Sequence, residues 1–172
     1  MSNNPGIINL EPIYAAFFAL VSGSKAPSWV DAASTVHQFA VQSRVPVDIQ
    51  ELTPGQLPAL FQEELDFDLT PAVNTLQART KYKLRIDLAI LVPCVGGKEQ
   101  AGQETNIPAQ QLNLAITAVL NAVASPMFGA KQTLGGLVDS VTAEGRVVRV
   151  HGVPGAGSQV SIGVIPFTIL TL

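Results

Sequence analysis

The chain has 172 residues, a net charge of -3, 47% hydrophobic residues and only 13% charged residues. Its length suits one domain, and its charged fraction is about half of the usual value of about 25%, so part of the surface is expected to contact protein. The slightly acidic balance disfavours sequence-specific nucleic-acid binding, which needs a basic surface to meet the phosphates.

The first predicted element is a helix over residues 13–21. Asn9 can cap it, Glu11 favours a helix N-terminus, and Pro12 is tolerated in the first turn. Apolar residues then recur at helical spacing until the Ser-Gly-Ser segment at residues 22–24. The apolar stretch is shorter than the roughly 20 residues of a membrane span and lacks the basic segment that precedes a secretory core. A soluble, unsecreted protein without membrane contact is therefore expected.

The next region is predicted to be mostly loop, with one strand over residues 35–41. Trp29 lies in a predicted loop, either as a packing plug over the core or as an exposed interface anchor. Three prolines then interrupt the chain, which predicts a mobile loop near residues 42–57.

Two strands, over residues 60–69 and 80–92, carry the clearest alternation. In the first strand the predicted inner face comprises Phe61, Leu65, Phe67 and Leu69, and Gln62 lies on the outer face. The outer faces have opposite charge, so antiparallel pairing would set Glu64, Asp66 and Asp68 against Lys81, Lys83 and Arg85. We interpret both charge runs as pairing partners in a hairpin and prefer this to a ligand site.

A polar, glycine-bearing segment follows, and residues 96–105 are predicted to form a mobile loop. Asn106 can cap a second helix and Pro108 can open it. One apolar stripe, which should lie against the sheet, comprises Leu112, Ala115, Ile116, Val119, Leu120 and Val123.

The last third predicts two long strands, over residues 134–150 and 159–170, joined by a mobile loop at residues 151–158. The apolar residues of the second strand change parity, so a bulge near Pro166 is expected, and proline also suggests an edge position. The order of elements predicts an α+β fold: an antiparallel or mixed sheet of about four to five strands with two helices packed on it. Residues 1–172 should form a single domain.

No catalytic, cofactor-binding or metal-binding residues are predicted. Cys94 is the only cysteine, so an intramolecular disulfide is excluded, and it is expected to be a small core residue. His37 and His151 have no metal-ligand spacing and no nucleophile context, and His151 is expected to end a strand at a turn. The glycine-rich segment at residues 152–158 lacks the lysine and following helix of a phosphate-binding loop.

Several short segments carry a resemblance to a known family. They are Gln-Thr-Leu-Gly-Gly-Leu-Val at residues 132–138, Glu-Gly at 144–145, Ile-Pro-Phe at 165–167 and Pro-Ala-Leu-Phe at 58–61. With the helix, long strand and helix order, these segments resemble the bacteriophage tail-terminator, or neck, protein family.

The resemblance implies a non-enzymatic ring, usually of six subunits, that caps the head-proximal end of the tail tube, ends its growth and docks to the head-tail connector. Its partners would be further copies of itself, the tail-tube protein and the connector protein, with genomic DNA passing through the lumen without specific binding. It would be assembled in the host cytoplasm and reside in the virion. Candidate contact residues are Glu64, Asp66, Asp68, Lys81, Lys83, Arg85, Lys98, Glu99, Glu104, Arg146 and Arg149. The alternatives are another virion part, such as a head-completion, connector or tail-tube protein, or a small hydrolase or ligand-binding domain.

Overall fold

The computed structural model describes residues 9–31, 34–71, 80–94, 107–124 and 130–171. In chain order the elements are α1 (Glu11–Phe18), β1 (Ser28–Val30), β2 (Val36–Gln38), β3 (Val41–Ser43), β4 (Ala59–Pro71), β5 (Thr80–Pro93), α2 (Ile107–Val123), β6 (Val138–Ala143), β7 (Val148–Gly155) and β8 (Ser158–Thr171). Short 3-10 helices lie at Gly23–Lys25, Ile49–Glu51, Pro54–Gln56 and Leu134–Gly136.

Six strands form one mixed sheet in the order β3-β4-β5-β8, and β6 and β7 both pair with the far side of β8. Only the pairing of β3 with β4 is parallel. The predicted α+β fold is confirmed, with a larger main sheet than expected and a separate two-stranded sheet of β1 and β2. The predicted antiparallel hairpin of β4 and β5 is also confirmed.

Both helices cover one face of the sheet. The apolar stripe of α2 packs on β5 and β8, as its helical spacing predicts. The α1 helix packs through Phe17, whose ring meets the edge of Phe167 with the centroids 5.2 Å apart. The resulting core contains the alternate residues of β5, namely Leu84, Ile86, Leu88, Ile90 and Val92.

The opposite face has its own smaller core at one end of the sheet. The segment between β3 and β4 folds under the strands there, and its Leu52 and Leu57 pack with Phe61 and Leu91. The tip of the β7–β8 hairpin also belongs to this core, because Ala156 is buried and donates its backbone N–H to the Ile49 carbonyl at 2.9 Å. Residues 42–57, predicted as a loop, thus include the end of β3 and two 3-10 helices, each followed by a buried leucine, Leu52 or Leu57.

The two cores correct the interpretation of β8. This strand pairs with β5 without a register shift from Val160 to Leu170, so the predicted bulge near Pro166 is wrong. The apolar residues of β8 switch from even to odd positions because Val160 belongs to the smaller core on one face, whereas Ile165 and Ile169 lie under the helices on the other.

Pro166 instead marks an interruption in the neighbouring strand. The predicted strand over residues 134–150 is wrong, because residues 144–147 separate β6 from β7. Proline has no N–H to donate to a neighbouring strand. The Pro166 carbonyl accepts from the Glu144 N–H at 3.1 Å, so Pro166 lies beside the gap between β6 and β7. Pro166 is therefore interior to the sheet, with β5 on its other side.

The terminal hairpin is confirmed, but its loop is much shorter than predicted. Strand β7 continues to Gly155, and only Ala156 and Gly157 form the turn. Both have positive φ, of 50° and 72°, as a tight turn matched to the strand twist requires. His151 consequently lies inside β7, which corrects its predicted place at a strand end.

The N-terminal predictions need smaller corrections. Helix α1 ends at Phe18, because the next turns close with shorter, 3-10-type hydrogen bonds before Gly23 adopts a φ of 60°. The strand predicted over residues 35–41 is two strands, since Phe39 turns into the core between β2 and β3. Trp29 is in a strand and not a loop, and its burial confirms the packing role.

Gly163 sets how closely α2 approaches the sheet. A Cβ at this position would lie 3.0 Å from the Cδ1 atoms of both Leu112 and Ile116. We predict that Gly163→Val lowers the free energy of unfolding by about 1–3 kcal/mol, because the added methyl groups overpack the helix-sheet contact. Chemical denaturation measures this, with Gly55→Ala as the control because no atom lies within 4 Å of its added Cβ. Equal stabilities of the two variants would contradict the prediction.

Candidate protein-interaction surface

The part of the β4–β5 hairpin that includes residues 63–68 and 82–87 is called the hairpin arm. The register shifts between Glu64 and Phe67, and a bulge of this kind changes which residues face each side of a strand. Gln62 is therefore fully buried before the bulge, whereas Leu65 and Phe67 are 38% and 47% exposed. The orientations of these three side chains differ from the prediction, which placed Gln62 on the outer face of the strand and Leu65 and Phe67 on the inner face.

The base of the arm is held by an ion triad. Arg44, just after β3, donates to the carboxylates of Glu11 in α1 and Glu64 in β4, with Nε 2.8 Å from Glu64 Oε1. The hydrogen bond from Arg44 lowers the pKa of Glu11, and the same pairing raises the pKa of Arg44. Glu64 thus pairs with Arg44 and not with the basic residues of β5. The triad joins a helix and two strands.

Further out, the predicted charge pairing is confirmed for one pair. Asp68 Oδ2 lies 2.9 Å from Arg85 Nη2. Lys83 instead reaches Glu144, which follows β6, at 3.4 Å. Hydrogen bonds from Thr168 and then Lys83 lower the pKa of Glu144. The Lys83–Glu144 pair joins the arm to the segment after β6, whereas the Asp68–Arg85 pair lies within the arm.

We define the charged face as Glu63, Asp68, Lys83, Arg85, Asp87 and Glu144. These residues lie on the side of the sheet away from the helices, because the alternate residues Leu84 and Ile86 are buried under α1 and α2. Asp87 stands directly opposite Glu63 in the neighbouring strand. Partial burial and then the charge of Glu63 raise the pKa of Asp87. The charged face therefore contains one pair of acidic side chains that repel each other, in addition to its ion pairs.

The remaining candidate contact residues are separated from this cluster. Asp66 is exposed in the bulge, and the backbone of Lys81 pairs with Thr70. Arg146 is exposed between β6 and β7, and Arg149 is exposed on β7. Lys98, Glu99 and Glu104, together with the predicted mobile loop at 96–105, lie outside the described residues.

Large apolar side chains are exposed on the arm and on β7. Besides Leu65 and Phe67 on the arm, Val148 and Val150 on β7 are 48% and 47% exposed. The ring of Phe67 contacts the ring of Tyr82, with the centroids 5.9 Å apart. Adjacent exposed apolar residues bordered by charges are typical of protein-contact surfaces.

His37 borders a cavity of about 310 Å³ that is also lined by Trp29 and Gln111, and these residues with Asp31 are called the His37 cluster. His37 Nε2 lies 2.9 Å from Asp31 Oδ2, and His37 stacks on Trp29. The Trp29 indole N–H donates to Gln111 in α2 at 2.9 Å. These contacts fasten the two-stranded sheet to α2, so the cluster has a packing role.

The second histidine pairs with a serine that solvent does not reach. His151 Nδ1 lies 2.9 Å from Ser161 Oγ, but Ser161 is fully buried in the sheet. A nucleophile must touch its substrate, so this pair does not form an accessible catalytic site. Cys94 is half-buried at the end of β5, which corrects its predicted place in the core. Within the described residues, no group of three or more possible ligands is placed to bind a metal ion.

Among the described residues, no helix has the length and hydropathy needed to cross a membrane. Neither a protein-family model nor a curated protein sequence matches this chain.

The opposed pair of Glu63 and Asp87 predicts a pH-dependent gain of stability in Asp87→Asn. A carboxyl whose pKa is raised in the folded state destabilises that state when ionised, above its folded pKa, and this cost disappears below its unfolded pKa. We expect the variant to be more stable than the parent at pH 7 by a few tenths to about 1 kcal/mol. The difference should vanish near pH 3. Urea denaturation at both pH values measures it, and Asp68→Asn, which loses an ion pair, should show no gain.

The ion pairs of the arm predict the effect of charge reversal. Lys83→Glu with Arg85→Glu places like charges against Glu144 and Asp68, which should lower the melting temperature modestly at low salt. Thermal denaturation at low salt tests this, with exposed Lys25→Glu as the control. An unchanged melting temperature in the double variant would contradict the pairing.

Proposed function

We propose that this chain is a non-enzymatic structural subunit of a bacteriophage tail. In this proposal its copies form a ring, usually of six subunits, at the head-proximal end of the tail tube. The ring ends tube polymerisation and docks to the head-tail connector. The protein is assembled in the host cytoplasm and resides in the tail or neck of the virion.

The exposed apolar residues of the hairpin arm carry this proposal. Leu65 and Phe67 are exposed on the arm, and Phe67 pairs with Leu84 on the side of the sheet opposite the charged face. Arg44 holds Glu64 at the base of the arm, and Lys83 joins the arm to Glu144. A rigid arm with apolar and charged groups at its surface suits docking to another protein, because little conformational entropy is lost on binding. The buried Ser161 beside His151 also favours a binding role over hydrolysis.

The segment at residues 132–138, which resembles tail terminators, has a structural place in this chain. Leu134 is buried in the core, and Gly135 and Gly136 have positive φ of 72° and 90°. These glycines allow the turn that leads into β6. The segment that resembles tail terminators therefore has a structural role in this chain.

A cap must differ from a tube subunit in one respect. Subunits that repeat head to tail continue a filament, so a terminator binds the last tube ring with one face and presents a different surface on the other. In this chain the charged face and the helix-covered face are different surfaces of the same sheet. The net charge of -3 is also compatible with DNA passing a ring without tight binding.

Deletion of the gene from a phage that encodes this chain tests the proposal. We expect tails of irregular, excessive length, or tails that fail to join heads, because tube growth lacks a stop. Electron microscopy of the particles measures tail length and joining, and supply of the native chain in trans should restore both. Normal tails joined to heads would contradict the proposal, and complete loss of tails would assign the chain to the tube instead.

A further inference from the structure

Within the described residues, the main sheet has two unpaired edges. Strand β3 covers β4 only from Ala59 to Phe61, so the outer half of β4 has no neighbour on that side. At the opposite edge, β6 and β7 follow one another along β8 and pair with no further strand. Unpaired edges present backbone N–H and C=O groups that can accept a strand from another molecule.

The two edges have opposite charge. The acidic edge, residues 63–68 of β4, includes exposed Glu63 and Asp66 beside Leu65 and Phe67. The basic edge, residues 146–151, includes exposed Arg146 and Arg149 beside Val148 and Val150. The described residues supply no ion pair to these two acids or these two arginines. Each edge thus offers what the other lacks: a free charge of opposite sign next to apolar side chains.

Strand pairing also places one charge of each edge, Glu63 and Arg146, at matching heights on the sheet. Glu63 stands opposite Asp87, and Asp87 stands opposite Pro166. The carbonyl of Pro166 accepts from the N–H of Glu144, two residues before Arg146. Glu63 and Arg146 therefore lie at nearly the same level on opposite sides of the molecule. Copies placed side by side would bring these residues together with little displacement along the strands.

We propose that the acidic edge of one copy pairs with the basic edge of the next, so that the partner of both edges is a second copy of this chain. Contact between two like edges would place acid against acid or arginine against arginine, which disfavours a two-fold dimer. Contact between unlike edges is heterologous, and it forms a ring when the rotation between copies closes. This inference deepens the proposed ring and rests on it, by naming the surfaces that hold its subunits together.

Charge exchange between the edges tests this inference with purified full-length chains. The first variant, Arg146→Glu with Arg149→Glu, gives a molecule with two acidic edges. The second variant, Glu63→Arg with Asp66→Arg, gives a molecule with two basic edges. Each variant alone should assemble at least about tenfold more weakly than the parent, because like charges face each other at every contact. Exposed Lys25→Glu, outside both edges, is the control and should assemble as the parent does.

An equimolar mixture of the two variants is the decisive sample. Every contact between unlike variants regains opposite charges, so the mixture should form rings in which the variants alternate. Sedimentation velocity and electron microscopy measure assembly, and circular dichroism confirms that each variant is folded. Undiminished assembly of either variant, no assembly of the mixture, or a monomeric parent would overturn the inference. Rings that persist in both variants would refute these edges and leave the cap proposal intact, because that proposal depends on tail length in the deleted phage.

Discussion

The pairing of β5 with β8 is the contact on which the rest of the molecule depends. It runs without a register shift from Lys83 to Pro93 and from Val160 to Leu170. One side of this pair supplies the apolar surface for α1 and α2, and the other supplies part of the smaller core. Strands β6 and β7 are attached to the main sheet only through β8, and β4 is attached to it through β5. The β5–β8 pair therefore joins the two halves of the sheet.

The sequence predicted the elements whose burial follows a simple period. Residues 80–92 alternate on one face, and the stripe of α2 recurs at helical spacing, so both were found with the correct partner surface. Period alone did not locate the bulge in β4, because Leu65 and Phe67 continue an unbroken alternation in the sequence. Their exposure depends on a register shift against β5, which is a relation between two strands and is not encoded in either pattern by itself.

Long-range charge pairing was predicted only in part for the same reason. Asp68 and Arg85 lie in adjacent strands of one hairpin, so their opposite charges indicated contact. Arg44 was missed as a partner of Glu11 and Glu64, which are 33 and 20 residues away in sequence. The only sequence feature that pointed to these ion pairs was a lone arginine between two acidic elements. The pairing itself depends on the parallel placement of β3 beside β4. The Arg44 triad and the Lys83–Glu144 pair connect separate elements of this fold.

The position of β8 has a consequence for how the protein is made. This strand lies in the middle of the sheet, yet it leaves the ribosome after β4, β5, β6 and β7. Until it emerges, β6 and β7 have no strand to join, and the apolar surface of β5 is open on one side. A domain whose central strand is synthesised late completes its fold only when that strand emerges, and until then its earlier strands are exposed to aggregation. Nascent chains on neighbouring ribosomes would therefore lack a complete binding surface. Copies of the chain would associate only after each has been fully synthesised.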